Sequence, residues 1–147
     1  MRVSKESYYL NIAKEVSKRS TCLRRHYGAV IVNNDEIIST GYNGSARGEE
    51  NCDDRGRCPR MHMEHNSGDY SDCPAVHAEQ NAMISASRKD MIGGTLYLYG
   101  EDNGHVENGN WVPTAEIKGP SPCPVCMRML KNSGLVSVVT NEGVIYL

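Results

Sequence analysis

The spacing of apolar residues along the chain predicts three helices. Tyr8, Ile12 and Val16 recur every four positions, so they share one face of a helix. This helix is predicted over residues 4–17, because Ser4 is a residue type that caps helix N-termini. Two further helices are predicted, over residues 77–89 and 124–133, the last with Pro124 in its first turn and stopped by Gly134.

Short runs of apolar and β-branched residues predict five strands. These runs cover residues 29–32, 37–40, 95–99, 136–140 and 144–147. The first two strands are separated by a short polar turn, as are the last two, so each pair is predicted to form a hairpin. The resulting order, αββαβαββ, indicates an α/β layered domain with a mixed sheet covered by helices.

Length and charge restrict the classes of function. The 147 residues fit one domain, which we expect to cover residues 1–147. The net charge is only −2 and no long basic run occurs, which argues against a nucleic-acid partner. No apolar stretch has membrane-spanning length, and residues 1–5 lack the apolar core of a signal peptide. We therefore expect a cytoplasmic protein without a membrane partner.

Two short motifs carry candidate metal ligands and a candidate catalytic acid. They are His77-Ala78-Glu79 and Pro122-Cys123-Pro124-Val125-Cys126. One imidazole and two thiolates give zinc three protein ligands, and a catalytic zinc site keeps its fourth position open for water. Glu79 can lie beside that water without binding the metal. A closed structural zinc site would have no use for Glu79, and a redox Cys-x-x-Cys pair would need no histidine motif, so both alternatives are disfavoured.

The segment between the second strand and the second helix is polar and shows no clear periodicity. We call it the long loop, residues 43–76. A structureless loop of this length in a compact domain needs something to hold it. Metal-ligating residue types are dense in and around the long loop: Cys22, His26, Cys52, Cys58, His62, His65 and Cys73. They predict a second zinc that ties the loop together, with a set of free buried thiols as the alternative.

With these motifs the chain resembles the cytidine deaminase superfamily and, within it, the deoxycytidylate (dCMP) deaminases. The resemblance covers about residues 1–89 and 122–140. It rests on the segments Arg19-Ser20-Thr21-Cys22, Gly28-Ala29-Val30-Ile31-Val32, Gly41-Tyr42-Asn43-Gly44, Val76-His77-Ala78-Glu79-Gln80-Asn81-Ala82 and Pro122-Cys123-Pro124-Val125-Cys126. The last two segments are common to the superfamily, whereas the first and third favour the dCMP branch.

The resemblance implies a three-layer α/β/α fold with a central mixed five-stranded sheet. It also implies zinc-dependent hydrolytic deamination of dCMP to dUMP and ammonia, with a small cytosine nucleotide as the partner. In this reaction hydroxide attacks C4 of cytosine, while Glu79 takes the water proton and returns it to N3 and to the departing ammonia. Assembly into a homo-oligomer such as a hexamer is a further implication.

The resemblance also assigns residues to the substrate. The backbone amides of Ala78 and Cys123 would orient it, and Asn43 would contact the sugar hydroxyl or the base. A plain turn role is the alternative for Asn43. The phosphate needs cations or amides, and six basic residues are candidates with none preferred: Lys18, Arg19, Arg24, Arg25, Arg47 and Arg88.

A second, noncatalytic zinc occurs in some dCMP deaminases, and the resemblance places two of its ligands at Cys22 and Cys52. Cys73 is the third predicted ligand and His65 the fourth. Cys58 is held in reserve as a replacement ligand.

Two departures from the relatives concern the substrate. Residues 100–120 form an insert before the catalytic helix, and its Trp111, the only tryptophan, either stacks on the pyrimidine or anchors the insert. The chain also ends on a short hairpin, which predicts an antiparallel last strand, as in free-nucleoside cytidine deaminases.

Two alternative functions stay open. One is a deaminase of another small nucleoside, nucleotide or base, such as cytidine, CMP or a guanine-type compound. The other is a catalytically silent binding module that zinc holds together.

Overall fold

The computed structural model describes residues 1–60 and 71–147. Within these residues the helices are α1 (Lys5–Ser17), α2 (Cys52–Arg55), α3 (Ala78–Ile84), α4 (Arg88–Met91) and α5 (Pro124–Ser133). The strands are β1 (Arg25–Asn33), β2 (Glu36–Tyr42), β3 (Gly44–Ser45), β4 (Ala75–Val76), β5 (Thr95–Asp102), β6 (His105–Glu107), β7 (Asn110–Val112), β8 (Ala115–Glu116), β9 (Ser137–Thr140) and β10 (Gly143–Tyr146).

The central sheet has the strand order β10-β9-β5-β1-β2, and the short β8 pairs with the end of β5. Strands β5 and β9 are parallel, whereas the other neighbouring pairs are antiparallel. The predicted mixed five-stranded sheet is therefore confirmed. The last strand, β10, runs antiparallel to β9, as the sequence predicts.

Helices cover the two faces of the sheet because the strands alternate buried side chains. Val30 and Val32 of β1 point to the face where Tyr9 and Ala13 of α1 pack. Ala29 and Ile31 point to the opposite face, which packs against α3 and α5 through residues such as Ala78, Ala82 and Leu130. This arrangement is the three-layer α/β/α fold.

Two glycines allow helices to approach the sheet closely. A Cβ atom on Gly28 would collide with the backbone of α1 at Ala13. A Cβ atom on Gly41 would collide with the backbone of α3 at Ala78 and Ala82. Gly41 thus fixes the distance between β2 and the helix that carries the HxE motif.

The predicted helix over residues 77–89 is wrong in its extent. It breaks into α3 and α4, with residues 85–87 between them. The Ser87 hydroxyl accepts a hydrogen bond from the Asp90 amide at 3.2 Å, so Ser87 caps a new helix. The apolar period continues across this break, which is why the sequence pattern alone did not reveal it.

The long loop and the insert contain more regular structure than predicted. In the long loop, β3 and β4 pair, which joins the two ends of the loop, and α2 forms a single turn. In the insert, β6 and β7 form a hairpin whose turn residues, Asn108 and Gly109, have φ of 50° and 78°. Asn-Gly is a strong hairpin signal, so the sequence did contain this information.

Across residues 1–60 and 71–147, none of the helices combines the length and apolar character that crossing a membrane requires.

Candidate active site

The two zinc motifs meet where α3 and α5 begin. His77 is the N-cap residue of α3, Cys123 is the N-cap residue of α5, and Cys126 lies in the first turn of α5. The His77 Nδ1 atom lies 3.6 Å from the Cys123 Sγ and 3.3 Å from the Cys126 Sγ. All three ligand atoms lie within 4.8 Å of one another.

This geometry fits one tetrahedral zinc. Typical Zn–S and Zn–N bonds of about 2.3 and 2.0 Å at tetrahedral angles place nitrogen and sulfur ligands about 3.5 Å apart. The observed separations of 3.6 and 3.3 Å bracket that value. Nδ1 of His77 would thus be the ligand atom, and three protein ligands would leave one coordination position for water.

Local hydrogen bonds hold the ligands in place. The His77 amide donates to Gln80 Oε1 at 2.9 Å, which fixes the backbone at the start of α3. The Cys126 amide donates to Cys123 Sγ at 3.4 Å, so the first thiol caps the helix that bears the second. Pro124 occupies the first turn, where its missing amide hydrogen costs nothing.

Glu79 is a buried carboxyl beside the metal ligands. It is only 6% exposed. Burial raises the pKa of the Glu79 carboxyl, while hydrogen bonds from its own backbone amide and from the Cys126 thiol act in the opposite direction. A buried carboxyl that contacts a zinc ligand without being one is suited to proton transfer at the open position of the metal.

The protonation states of the ligands suit a metal. Burial, reinforced by the positive charge of Arg60, lowers the pKa of His77, which favours the neutral imidazole that binds metal. Burial and the neighbouring Glu79 charge raise the pKa of the Cys126 thiol in the metal-free protein. A bound zinc reverses this effect, because it deprotonates a coordinating thiol.

A cleft of about 120 Å³ opens onto these groups. Its lining residues are Cys22, Arg24, Arg25, Tyr27, Asn43, Cys58, Arg60, Cys73, Ala75, His77, Glu79, Ser121 and Cys123. Three arginines make the cleft locally positive although the whole chain carries a net charge of −2. The structure thus brings Asn43 and Glu79 to one cavity with two of the three zinc ligands.

The side-chain amide of Asn43 is bound to the neighbouring strand. Its Oδ1 accepts from the Tyr27 amide at 2.8 Å, and its Nδ2 donates to the Arg25 carbonyl at 2.9 Å. Asn43 is 7% exposed and still lines the cleft. These bonds support a structural role for Asn43 and leave its predicted substrate contact as a prediction.

Two other residues predicted to contact the substrate, Ala78 and Trp111, are not among the lining residues of the cleft. The Ala78 side chain is completely buried against the sheet, while the backbone amide predicted to make the contact lies between the lining residues His77 and Glu79. Trp111 lies on β7 of the insert hairpin and is 66% exposed. Its ring packs directly against Gly104, where a Cβ atom would collide with it. This contact favours the anchoring alternative for Trp111 over stacking on the pyrimidine.

The candidate ligands of the second zinc are only partly described. Cys22, Cys58 and Cys73 line the cleft, and Cys52 is buried. Burial raises the pKa of Cys52, and the charges of the three other thiols act in the same direction. His62 and His65 fall in the range 61–70, outside the described residues. In the described part of the chain, only His77, Cys123 and Cys126 form a group of three or more candidate ligand atoms this close together.

Sequence reasoning missed four residues of the cleft lining, Tyr27, Arg60, Ala75 and Ser121, of which Tyr27 and Arg60 have the large polar side chains. Tyr27 lies on β1 directly opposite Gly100, where a Cβ atom would collide with the Tyr27 ring. Arg60 is 6% exposed and lies at the far end of the described part of the long loop. A buried arginine inside a polar segment has no sequence pattern that distinguishes it from a surface residue.

Comparisons with known proteins agree with the site. The family model for the cytidine and deoxycytidylate deaminase zinc-binding region matches residues 3–142. A deoxycytidylate deaminase of Mycobacterium phage D29 is 35% identical over 140 residues, which cover 91% of each chain. A deoxycytidylate deaminase of Schizosaccharomyces pombe is 40% identical over 99 residues, which are 67% of this chain and 30% of that protein. The chain thus spans less than a third of the yeast relative.

A solved structure has the same fold. It is a dCMP deaminase of the cyanophage S-TIM5, crystallised in complex with dCMP and dUMP. Its TM-score is 0.62 at 26% sequence identity, and the match covers 95% of this chain and 82% of that chain. With the family match over almost the whole chain and the histidine and two cysteines in ligating positions, this chain belongs to the cytidine and deoxycytidylate deaminase family of zinc-binding proteins.

Proposed function

We propose that this protein is a zinc-dependent hydrolase that deaminates dCMP to dUMP and ammonia. The observation that carries the proposal is the buried Glu79 carboxyl in the same cleft as the zinc ligands His77 and Cys123. A silent binding module has no chemical reason to keep an uncoordinated buried carboxyl at this position. The deoxycytidylate deaminases among the relatives support the choice of substrate.

The chemistry divides between the metal and Glu79. When bound, zinc supplies a water molecule whose pKa is lowered towards neutrality. Glu79 accepts the proton of the attacking water and delivers it to N3 of cytosine, so that C4 gains a hydroxyl group. The proton of the new C4 hydroxyl then reaches the amino group through the same carboxyl, the C4–N4 bond breaks as the C4 carbonyl forms, and ammonia leaves. General acid/base catalysis of this kind increases the reaction rate about 10²–10⁴-fold.

The positive charge of the cleft favours a nucleotide over a nucleoside. Arg24, Arg25 and Arg60 line the same cavity as Glu79, and a phosphate monoester is the anionic group that distinguishes dCMP from deoxycytidine. The backbone amides of Ala78 and Cys123 and the side chain of Asn43 are proposed to orient the cytosine and the sugar.

A second candidate function is deamination of an unphosphorylated cytosine nucleoside. The antiparallel pairing of β9 with β10 favours it, because the resemblance associates this arrangement with free-nucleoside cytidine deaminases. The arginines of the cleft argue for the nucleotide, and we rank dCMP first.

The test is ammonia release from a substrate panel. Zinc-loaded protein is assayed with dCMP, CMP, deoxycytidine, cytidine and guanine, with Glu79→Gln as the inactive control. We expect dCMP to give the highest kcat/KM. A higher kcat/KM for deoxycytidine or guanine would overturn the substrate assignment, and no ammonia from any compound would overturn the enzymatic function.

A second zinc, held by Cys22, Cys52 and Cys73 with His65 as the fourth ligand, is part of the proposal. Cys22 and Cys73 line one cleft, and both raise the pKa of the buried Cys52 thiol, which supports the second site. Cys58 lines the same cleft and acts on Cys52 in the same direction, so it remains the reserve ligand. Assembly into a homo-oligomer and a cytoplasmic location are likewise proposed rather than observed.

A further inference from the structure

Near the start of the insert, one residue is bonded to the wall of the cleft. Asp102, the last residue of β5, lies directly opposite Arg25 at the start of β1. The Arg25 Nε atom donates to Asp102 Oδ1 at 2.6 Å. Arg25 lines the cleft that contains Glu79, so an acidic residue of the insert is paired with a cation of the active-site wall.

The Arg25 guanidinium is only partly used by this pair. Its second hydrogen bond runs from Nη1 to the Tyr27 hydroxyl at 3.3 Å. A guanidinium has five N–H groups, and within the part of the chain that the structure describes these two bonds engage two of them. The side chain is 22% exposed, so it keeps donors that a ligand in the cleft can reach.

The next residue of the insert strengthens the attachment. Asn103 Nδ2 donates to the Leu23 carbonyl at 2.8 Å and to the Cys22 carbonyl at 3.3 Å. The Asn103 amide also donates to the Arg24 carbonyl at 3.0 Å. The base of the insert is therefore bonded to the segment that supplies the cleft wall, rather than attached only through β5.

We propose that Asp102 is a positioning residue: it holds the Arg25 guanidinium so that its remaining donors meet the phosphate monoester of the substrate. The insert thereby sets the preference for phosphorylated over unphosphorylated cytosine nucleosides. This inference rests on the proposed deamination of dCMP. Arg25 touches the phosphate, whereas Asp102 acts on the phosphate through Arg25.

Substitutions at Asp102 distinguish two possible effects of this residue: orienting the Arg25 guanidinium and offsetting its positive charge. Asp102→Ala removes the acceptor, so Arg25 loses its fixed orientation, and KM for dCMP should rise about tenfold with kcat little changed. Asp102→Asn retains an acceptor oxygen for Arg25 and should stay within about threefold of the wild-type KM. If Asp102 only offset the charge of Arg25, both variants would lower KM by a similar factor, and the proposal would be overturned.

Product binding tests the phosphate directly. The inhibition constants of dUMP and deoxyuridine are measured for the wild type and each variant. Asp102→Ala should raise the inhibition constant of dUMP by the same factor as the KM for dCMP, and it should leave the inhibition constant of deoxyuridine unchanged. An equal rise in the inhibition constants of dUMP and deoxyuridine would indicate a general disturbance of the cleft and contradict the inference. Glu107→Ala, on the exposed hairpin of the same insert, is the matched control and should change neither constant.

Arg25→Gln alone keeps the proposal testable if Asp102→Ala folds poorly, which its zinc content would reveal, because an unchanged inhibition constant of dUMP in Arg25→Gln would overturn the inference. Where Asp102→Ala folds, a double-mutant cycle completes the test. Arg25→Gln should raise the inhibition constant of dUMP at least tenfold, and adding Asp102→Ala to it should cause little further loss, since both act through one guanidinium. Additive effects would overturn the inference. A wild type that binds dUMP more tightly than deoxyuridine but releases no ammonia from dCMP would instead refute only the proposed function.

Discussion

His77 Nδ1 lies 3.3 Å from the Sγ atom of Cys126, although the two residues are 49 positions apart in the chain. The contact exists because α3 and α5 pack against each other on one face of the sheet with their N-terminal residues close together. Each ligand thus stands at a helix N-terminus, whose partial positive charge favours thiolate over thiol.

Removing any of the three ligands should therefore lower both the zinc content and the activity. His77→Ala, Cys123→Ala and Cys126→Ala each leave two protein ligands, too few for a stable site. Metal analysis of purified protein checks this, with His105→Ala on the exposed hairpin as the control. Unchanged zinc stoichiometry in all three ligand variants would mean that the metal is bound elsewhere.

Glu79→Gln should separate metal binding from turnover. The amide keeps the shape of the buried carboxyl and a hydrogen-bonding oxygen, but it cannot carry a proton. We expect full occupancy of the catalytic zinc and a loss of kcat of about 10²–10⁴-fold. Zinc analysis and ammonia release measured on the same sample test this, and a near-native rate would remove Glu79 from the proposed mechanism.

A second zinc would double the metal content. Protein prepared without chelator should hold about two zinc ions per chain, and Cys22→Ser or Cys52→Ser should lose roughly one. The catalytic zinc should remain, since His77, Cys123 and Cys126 are unaltered. Cys58→Ser is the informative companion variant, because it should retain both ions if Cys58 is only a reserve ligand. One zinc per wild-type chain would contradict the second site.

The sequence predicted those parts of the molecule that depend on local pattern. The start of α1 at the Ser4 cap and the end of α5 at Gly134 agree with the structure, because both have residue types suited to helix ends. The grouping of His77, Cys123 and Cys126 was predictable because motif spacing and helix starts are both local. The Arg25–Asp102 pair was missed because it joins residues 77 apart, and only the register of β1 with β5 brings them together.

Asn43 presents a case in which sequence and structure favour different roles. Its match to the family segment predicts contact with the substrate. In the structure, however, its side-chain amide forms hydrogen bonds with the Tyr27 backbone amide and the Arg25 carbonyl. The two roles are compatible, because Asn43 holds the part of β1 that carries Arg25 into the cleft. A substitution should therefore affect both stability and substrate binding.

Asn43→Ala leaves a buried backbone amide and a carbonyl without their partner, which should lower the free energy of unfolding by about 1–3 kcal/mol. Urea unfolding at a fixed zinc concentration measures this, and Asn110→Ala, on the exposed hairpin, should lie within about 0.5 kcal/mol of the wild type. In the folded variant we expect a higher KM for dCMP, because Arg25 is displaced. If Asn43→Ala is as stable as Asn110→Ala but has lost affinity for dCMP, the amide serves the substrate and the bonds to β1 contribute nothing measurable to stability.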